Sequence, residues 1–242
     1  MKIEKVSDHH ETQREHVYHR LKIARMAGDC EPGQQITIAS VAAALKVFAT
    51  PVCEALRRLT AERALEMHPN RSAVVPRLSS EEVLAMRRIR AELEGYAVRL
   101  SAVRVDEERL ERLSQIELAL AAARNRPDGR KLLSLNEEFH FAIYEAAGIP
   151  ALTDMIATLW LLSTPTLYLP VKPEFIGRYR FEAQNRNNRV PISALRVHDG
   201  EHAARALVAE IAEGSRMLGA LMRGIDWNAG EKTQQRKRRR WN

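Results

Sequence analysis

Two histidines and a glutamate lie close together late in the sequence and could bind a catalytic metal ion. His198, Glu201 and His202 match the H-x-x-E-H pattern, in which both imidazoles bind zinc and the carboxylate acts as a base. Both histidines must then project from one helix. Gly200 disfavours a helix through the motif, and Asp199 is a good N-cap for a helix that begins after it and excludes His198. We therefore expect no metallopeptidase activity.

The rest of the sequence adds no catalytic motif, and we expect the protein not to be an enzyme. Cys53 is a small thiol on a predicted surface helix without a histidine nearby in sequence, which is typical of an inert cysteine. Cys30 and Cys53 form no disulfide framework, and no N-terminal run has the order of a secretory signal. The longest uncharged run, residues 155–171, contains Pro165 and Pro170 and indicates a bundle helix rather than a membrane span. We expect a cytoplasmic protein without membrane contact.

The segment between residues 38 and 59 could contact DNA. Apolar residues recur at helical spacing over residues 38–45, a break follows at 47–49, and a second helix is predicted to begin at Thr50 with Pro51 in its first helical position. A recognition helix presents its outward side chains to base edges and phosphates. The predicted DNA-contacting residues of this helix are Thr50, Pro51, Cys53, Arg57 and Arg58.

A short hairpin is predicted behind the second helix. Residues 65–68 and 73–75 read as strands, and the turn residues Asn70, Arg71 and Ser72 could reach a neighbouring groove. The alternative is an ordinary helical core segment followed by an ordinary hairpin, because helix-turn-helix spacings arise easily in all-α proteins.

The chain is long enough for two domains. Its 242 residues exceed the usual size of one domain and allow two hydrophobic cores. The segment 75–80, VPRLSS, marks the boundary, because proline blocks helix continuation and the serines that end it, with the two glutamates after them, start a new helix. We predict a winged helix-turn-helix domain over residues 1–76, a second domain over 77–229, and a tail over 230–242.

The second predicted domain contains only helices. No alternating β pattern interrupts it, and short connections favour antiparallel neighbours. Pro191 is expected to disturb one of its segments. The predicted helices cover residues 80–103, 106–124, 128–147, 150–163, 173–196 and 199–223. The predicted fold class is mainly α, with an N-terminal α+β winged helix-turn-helix and a C-terminal all-α antiparallel helical bundle.

The positive charge of the chain is concentrated in the tail. The formal net charge is +7, and residues 230–242 contribute six Lys or Arg residues against one Glu. Such a run without apolar periodicity is expected to be disordered. It is either an arm that binds phosphates without specificity or a solvated tail.

The helix-turn-helix and wing resemble a known family. Residues 11–76, with the segment TPVCEALRRL and the wing turn PNR, resemble the winged-helix domain of the GntR family of bacterial transcription regulators. Residues 77–229 resemble the all-α domain, called FCD, of the FadR-type branch, which implies that they form an effector-binding and dimerisation domain. The resemblance implies a homodimeric, ligand-responsive regulator, such as a repressor, that binds palindromic double-stranded DNA. Ala39, Ala49 and Cys53 stand where relatives place DNA-contacting arginines, so we predict binding that relies on phosphates and DNA shape.

The resemblance also implies a ligand cavity within the bundle. The four positions that hold a divalent metal in relatives correspond to Asn136, His140, Asn188 and Glu210, and only His140 is unchanged. Zinc, nickel and cobalt favour several imidazoles, so this set is weak for a transition metal. The sequence predicts no cofactor with certainty. The alternative is a divalent cation bound by His140, Asn136 and Glu210.

Arg90 stands where relatives often keep an inward-facing arginine. An arginine directed into an apolar bundle is a natural partner for a carboxylate ligand. The alternative is an ion pair with Glu94, four residues later, on a solvated face. We predict a small carboxylate effector. The predicted effector-binding residues are Arg90, Asn136, His140, Asn188 and Glu210.

A second function stays open from sequence. With Ala39, Ala49 and Cys53 on the DNA-facing side, the chain could be a helical module derived from a regulator, with decayed DNA contacts, that binds a small molecule or a protein.

Overall fold

The computed structural model describes residues 12–26, 29–68, 72–124, 129–163 and 188–223. The wing-tip residues Asn70 and Arg71, most of the predicted helix over 173–196, and the basic tail lie outside these ranges. The elements are α1 (Gln13–Met26), β1 (Gln35–Thr37), α2 (Ile38–Leu45), α3 (Ala49–Ala61), β2 (Glu66–His68), β3 (Ser72–Val74), α4 (Ser80–Ser101), α5 (Glu107–Arg124), α6 (Gly129–Ala146), α7 (Pro150–Ser163), α8 (Arg189–Arg196) and α9 (Gly200–Arg223).

Helices α2 and α3 form a pair bent by 119°. The Thr37 side chain accepts a hydrogen bond from the Ser40 N–H and caps the start of α2. Lys46 ends α2 with a left-handed backbone at φ 55°, which turns the chain towards α3. Among the described residues, no single helix has the length and apolar character to cross a membrane, and only this bent pair would qualify by length and composition together.

Helix α3 has the predicted buried face but a different start. It begins at Ala49 and not at Thr50, with Phe48 as its N-cap. Pro51 therefore occupies the third helical position. The N–H groups of the first turn have no acceptor within the helix, so proline loses no hydrogen bond at this position. The predicted apolar residues, each at most 1% exposed, are Val52, Leu56 and Leu59.

Three short antiparallel strands form the wing, in the order β1-β3-β2. The predicted hairpin of β2 and β3 is confirmed, with Met67 opposite Ala73. Strand β1 was not predicted, because three residues are too few to reveal an alternating pattern. It pairs with β3 through Ile36, opposite the fully buried Ala73. The wing is therefore tied to the segment that precedes α2.

Helix α4 is the central helix of the bundle and packs against α6, α7 and α9. It starts with a capping box, in which Ser79 and Glu82 each accept a hydrogen bond from the other's backbone N–H. Helix α5 packs against α6, and α8 packs against α5 and α9. The predicted ends of α4, α5, α6, α7 and α9 agree with the structure to within two residues. Pro191 does not break α8, because the helix begins at Arg189 and Pro191 lies in its first turn.

The start of α9 excludes the zinc-peptidase arrangement. The Asp199 carboxylate accepts a hydrogen bond from the His202 N–H at 2.9 Å, so Asp199 is the N-cap that the sequence predicts. His198 lies outside the helix at φ 58°, and its Nδ1 is 2.6 Å from the Ala102 carbonyl oxygen. A Cβ at Gly200 would lie 3.0 Å from a backbone oxygen of α4, which explains a glycine at this close approach.

Removing the Asp199 cap should destabilise the fold by about 1 kcal/mol, because one backbone N–H of α9 then has no acceptor. We expect Asp199→Ala to lower the urea midpoint, whereas Asp199→Asn, which keeps a side-chain oxygen, should lose only a fraction of that amount. Equal losses in the two variants would show that the charge of Asp199, and not its capping oxygen, is what stabilises α9.

Candidate functional site

The carboxylate of Glu94 lies within the helical bundle with no solvent exposure. Arg90 precedes it by one turn of α4, and its Nε donates to Glu94 Oε1 at 2.6 Å. Trp160 of α7 donates from Nε1 to the same oxygen at 2.8 Å. The Arg90 guanidinium also stacks on the Trp160 ring, 4.1 Å from the ring centroid. A buried charge is tolerated only when it is paired and hydrogen-bonded, and these contacts meet that requirement.

Tyr144 connects this carboxylate to His140. Its hydroxyl donates to Glu94 Oε2 at 2.5 Å and lies 2.8 Å from His140 Nδ1. Because the hydroxyl proton is directed to Glu94, Nδ1 must be the donor in the second contact. His140 Nε2 therefore faces Glu210, whose Oε1 is 3.8 Å away, beyond hydrogen-bond distance.

The surrounding groups control the ionisation of Glu94 and Tyr144. Burial raises the pKa of Glu94, but the charges of Arg90 and His140, with the hydrogen bonds from Arg90 and Tyr144, lower it more, so the pKa lies below its usual value. Burial and the Glu94 charge together raise the pKa of Tyr144 well above its usual value. The network at neutral pH is therefore an ion pair bridged to a neutral phenol.

Three of the five predicted effector residues meet in this network: Arg90, His140 and Glu210. The alternative ion pair of Arg90 with Glu94 is present, but in the core and not on a solvated face. Asn136 is half-buried, one turn before His140, and no described residue hydrogen-bonds to its side chain. Arg90 Nη1 also reaches Ser163 Oγ at 3.3 Å, so the network extends to the end of α7.

Asn188 is the least satisfied of the predicted effector residues. It is 1% exposed at the start of α8, and neither Nδ2 nor Oδ1 has a hydrogen-bond partner among the described residues. Leaving a buried polar group unsatisfied costs about 1–3 kcal/mol. No described contact joins Asn188 to Arg90 or His140. Its amide is therefore a donor and an acceptor that no described residue uses.

The donors at this site do not fit a divalent transition metal. In the described ranges, no three His, Cys, Asp or Glu side chains converge to form a metal site. His140, Asn136 and Glu210 supply only one imidazole, one amide and one carboxylate, whereas zinc and nickel favour several imidazoles. A transition metal on these three residues is therefore not supported by their chemistry, and the alternative of another divalent cation stays a prediction.

A second candidate site is the outer face of α3. Thr50 and Arg57 are exposed, and Arg57 makes no ion pair or hydrogen bond with the described residues. Arg58 is exposed but held: its guanidinium lies 3.7 Å from the Tyr18 ring centroid, and its Nε donates to Glu62 at 3.2 Å. Tyr18 also donates to Glu62, at 2.8 Å. Arg58 therefore fixes α3 against α1, in addition to any role at the surface.

Three other predicted DNA-contacting residues are less accessible. Pro51 is buried and Cys53 is half-buried on α3. Ser72 is 2% exposed, and its Oγ accepts a hydrogen bond from Gln35 Nε2 at 2.7 Å. The side chains of Pro51 and Ser72 pack within the domain in this conformation, so their exposure does not support the prediction that they contact DNA.

The recognition helix and the turn before it carry exposed positive charge. Both acidic side chains of α3 and its C-cap are paired, Glu54 with Arg14 at 2.8 Å and Glu62 with Arg58. Lys46 and Arg57 are exposed and have no partner in the part of the chain described. This surface is therefore complementary to phosphate groups.

Helix α1 joins the winged domain to the bundle. It packs on α3 and also contacts α7. Asp29, just after α1, lies 2.9 Å from Arg130 Nε on α6. Burial raises the pKa of Glu137 on α6, and the charge of Lys22 on α1 partly lowers it again. Because α6 also carries His140, one helix contacts both the buried polar network and the winged domain.

Sequence reasoning missed Tyr144, Trp160 and Phe48. The spacing of four between His140 and Tyr144 was a signal, since such residues share a helix face. Trp160 comes from another helix, and only packing brings it to Glu94. Phe48 lies in the break between two helices, and its 81% exposure was not evident from composition.

The comparisons with known proteins agree with this architecture. Residues 13–75 match the bacterial regulatory proteins of the gntR family, and residues 85–213 match the FCD domain. The chain belongs to the GntR family of bacterial regulatory proteins and is a transcriptional regulator with an FCD domain.

Two curated relatives and two solved structures illustrate the match. The HTH-type transcriptional regulator McbR of Escherichia coli K12 is 30% identical over 195 residues, which cover 81% of this chain and 85% of McbR. The Nta operon transcriptional regulator of Aminobacter aminovorans is 35% identical over 46% of this chain and 53% of its own. The E. coli McbR/YncC structure, 27% identical, superposes with a TM-score of 0.81 over 86% of this chain and 97% of its own. A putative GntR regulator from Rhodococcus sp. RHA1, 19% identical, shares the fold with a TM-score of 0.68 over 86% of this chain and 99% of its own.

We expect the ion pair of Arg90 and Glu94 to stabilise the fold only while Glu94 is ionised. Its folded pKa is below the ordinary value of 4.5, so the contribution is complete above that value and is lost as the pH falls through the lower, folded pKa. Urea unfolding between about pH 3 and pH 6 should show this loss in the native protein but not in Glu94→Gln. A Glu94→Gln variant with the same acid dependence as the native protein would contradict the assignment.

Proposed function

We propose that this protein binds palindromic operator DNA as a homodimer and that a small carboxylate bound in the helical bundle changes the affinity for DNA. The bacterial chromosome is the target, so the protein acts in the cytoplasm. The proposed units are a DNA-binding domain over residues 1–76, an effector and dimerisation domain over 77–229, and the tail.

The exposed cations on the recognition helix and before it, which have no partner among the described residues, are the main support for DNA binding. Helix α3 buries its apolar face completely and directs Thr50 and Arg57 outward, while Lys46 extends the positive surface. Phosphate contacts of this kind supply affinity and position, but they carry no sequence information directly. A dimer presents two such helices, so the half-site spacing follows from the separation of the two domains.

The buried network is the support for an effector. Arg90 is a guanidinium within the bundle, and because its Nε is bound to Glu94, a carboxylate ligand would use the Nη side, next to Ser163. The other polar groups of the predicted set that could donate to it are the Asn136 amide, the unsatisfied Asn188 amide and, in the imidazolium form, His140 Nε2. The ligand must avoid Glu94 and Glu210, whose carboxylates repel an anion.

The effect of the ligand on DNA would pass through α6. This helix carries His140 in the network, Arg130 against Asp29, and Glu137 near Lys22 of α1. A ligand that shifts α6 therefore changes the position of the winged domain. Because binding is reciprocal, operator DNA must change the affinity for the ligand by the same factor.

A second candidate function is a ligand- or protein-binding module with decayed DNA contacts. The observation in its favour is that Arg58 is held by Glu62 and Tyr18, which leaves Arg57 and Lys46 as the exposed cations of the helix pair without a partner in the described residues. The regulator is expected to bind duplex DNA at low salt, whereas the module is not.

The Arg57 side chain should contribute to DNA affinity through a phosphate. We expect Arg57→Ala to weaken binding to all sequences alike and to reduce the slope of log K against log salt by ~0.9 for each phosphate that the arginine neutralises. Fluorescence anisotropy on an operator enriched by binding selection measures both quantities. Arg88→Ala removes an exposed cation from α4 and serves as the matched control, with an unchanged slope expected.

Two outcomes separate the candidate functions. A selection that enriches no duplex, with no affinity at low salt, would remove the regulator proposal and favour the module. Binding in which Arg57→Ala and Arg88→Ala behave alike would keep a DNA-binding protein but move its contacts away from α3.

Small carboxylates should raise the melting temperature more than zinc or nickel salts do. A ligand that binds only the folded state stabilises it by mass action. We expect His140→Ala and Arg90→Lys to abolish the rise, the second because lysine keeps the charge but lacks the guanidinium fork. His202→Ala, at an exposed histidine of α9, is the control that should keep it. Stoichiometric zinc or nickel in protein prepared without a His-tag, with a chelator-sensitive melting temperature, would contradict this proposal.

A further inference from the structure

Phe48 is placed where neither stability nor packing explains it. It is the N-cap of α3, a position that favours Ser, Thr, Asp or Asn, and its side chain makes no capping hydrogen bond. It is also 81% exposed, the highest exposure of the large apolar residues described. A phenylalanine at this position therefore makes no capping hydrogen bond and leaves its aromatic ring exposed to water. Such a residue is better explained by contact with something outside the chain.

The surroundings of Phe48 indicate what that contact is. Ala49 and Thr50 are exposed beside it in the first turn of α3, and Lys46 and Arg57 are exposed cations without described partners. The acidic Glu54 is neutralised by Arg14. An apolar spot within a positive surface suits a partner with phosphates around a small apolar group. Double-stranded DNA has this chemistry in its major groove.

The side chains at the start of α3 restrict which base is read. The segment Phe48 to Cys53, FATPVC, contains no Arg, Lys, Asn, Gln, Asp or Glu, so none of its side chains can make the bidentate pairs that identify guanine or adenine. The thymine C5-methyl is the one apolar group that base edges present in the major groove, and Phe, Ala and the Thr methyl are suited to contact it.

We propose that Phe48, with Ala49 and Thr50, is a specificity determinant that recognises thymine methyl groups in the major groove. The inference rests on the proposed binding of operator DNA and specifies how that DNA is read. Phosphate contacts from Lys46 and Arg57 position the helix, and the apolar group at its start selects half-sites with thymines at the contacted positions. Affinity and specificity therefore come from different side chains.

Deoxyuridine tests this contact, because it differs from thymidine only by the methyl group and pairs in the same way. The full-length protein is first used to select a duplex from a randomised library, and the enriched duplex is resynthesised with deoxyuridine at each thymine of the half-sites in turn. We expect affinity to fall about fourfold for each contacted methyl removed, the value for burying one such group. Thymines outside the contacted positions should show no loss.

In the Phe48→Ala variant, the preference for thymine over uracil should be lost at the position that Phe48 contacts and kept at the positions that Ala49 and Thr50 contact. Phe48→Leu, which keeps an apolar side chain, should retain part of the methyl preference. Met155→Ala removes another exposed apolar side chain, on α7, and should leave the preference unchanged. Because Phe48 is exposed, its variants should keep the native circular dichroism spectrum and melting temperature.

The failures of the two proposals are distinguishable. If no duplex is enriched, the proposed function and this inference both fall. If a duplex binds tightly but uracil and thymine are equivalent at every position, or if Phe48→Ala keeps the methyl preference at every position, only the inference is overturned. A change of oligomeric mass in Phe48→Ala, with the preference intact, would assign Phe48 to contact with a second copy instead.

Discussion

The arrangement of helices in the bundle depends on one buried charge, which must be paired and hydrogen-bonded. Glu94 is fully removed from water, and a carboxylate in such an environment is stable only with a paired cation and further donors. Arg90, Trp160 and Tyr144 supply them from α4, α7 and α6. These three helices are therefore fixed relative to one another by directional bonds, which define their register more precisely than apolar packing does.

The same network limits what the proposed effector site can bind. Arg90 is committed on one edge to an internal carboxylate, so an anionic ligand has only the other edge available. His140 is oriented by Tyr144, which directs its second nitrogen towards Glu210. The site also has one imidazole, whereas transition metals favour several. This arrangement therefore favours recognition by hydrogen bonds over coordination of a transition metal. The site differs in its donors, and not in its helical framework, from the metal-binding pattern it resembles.

In the proposed DNA complex, the winged domain separates positioning from base reading. Arg58 is stacked on Tyr18 and holds α3, whereas Arg57 is exposed and has no partner among the described residues. The first turn of α3 has no side chain that can form a bidentate hydrogen bond with a purine, so apolar contacts and the Thr50 hydroxyl remain as its means of direct readout. Helix α6 then connects this domain, through Arg130 and Asp29, to the network in the bundle.

The sequence by itself determined the class of fold and most helix boundaries, because apolar spacing, caps and prolines act over a few residues. The buried face of α3, the Asp199 cap and the all-helical second domain were predicted on these grounds and are confirmed. It also placed Arg90 and Glu94 one turn apart. Only the tertiary structure decided that this pair is buried, that Trp160 completes it, and that Ser72 is buried while Phe48 is exposed. Burial depends on which distant elements meet, and a local pattern contains no information about that partner.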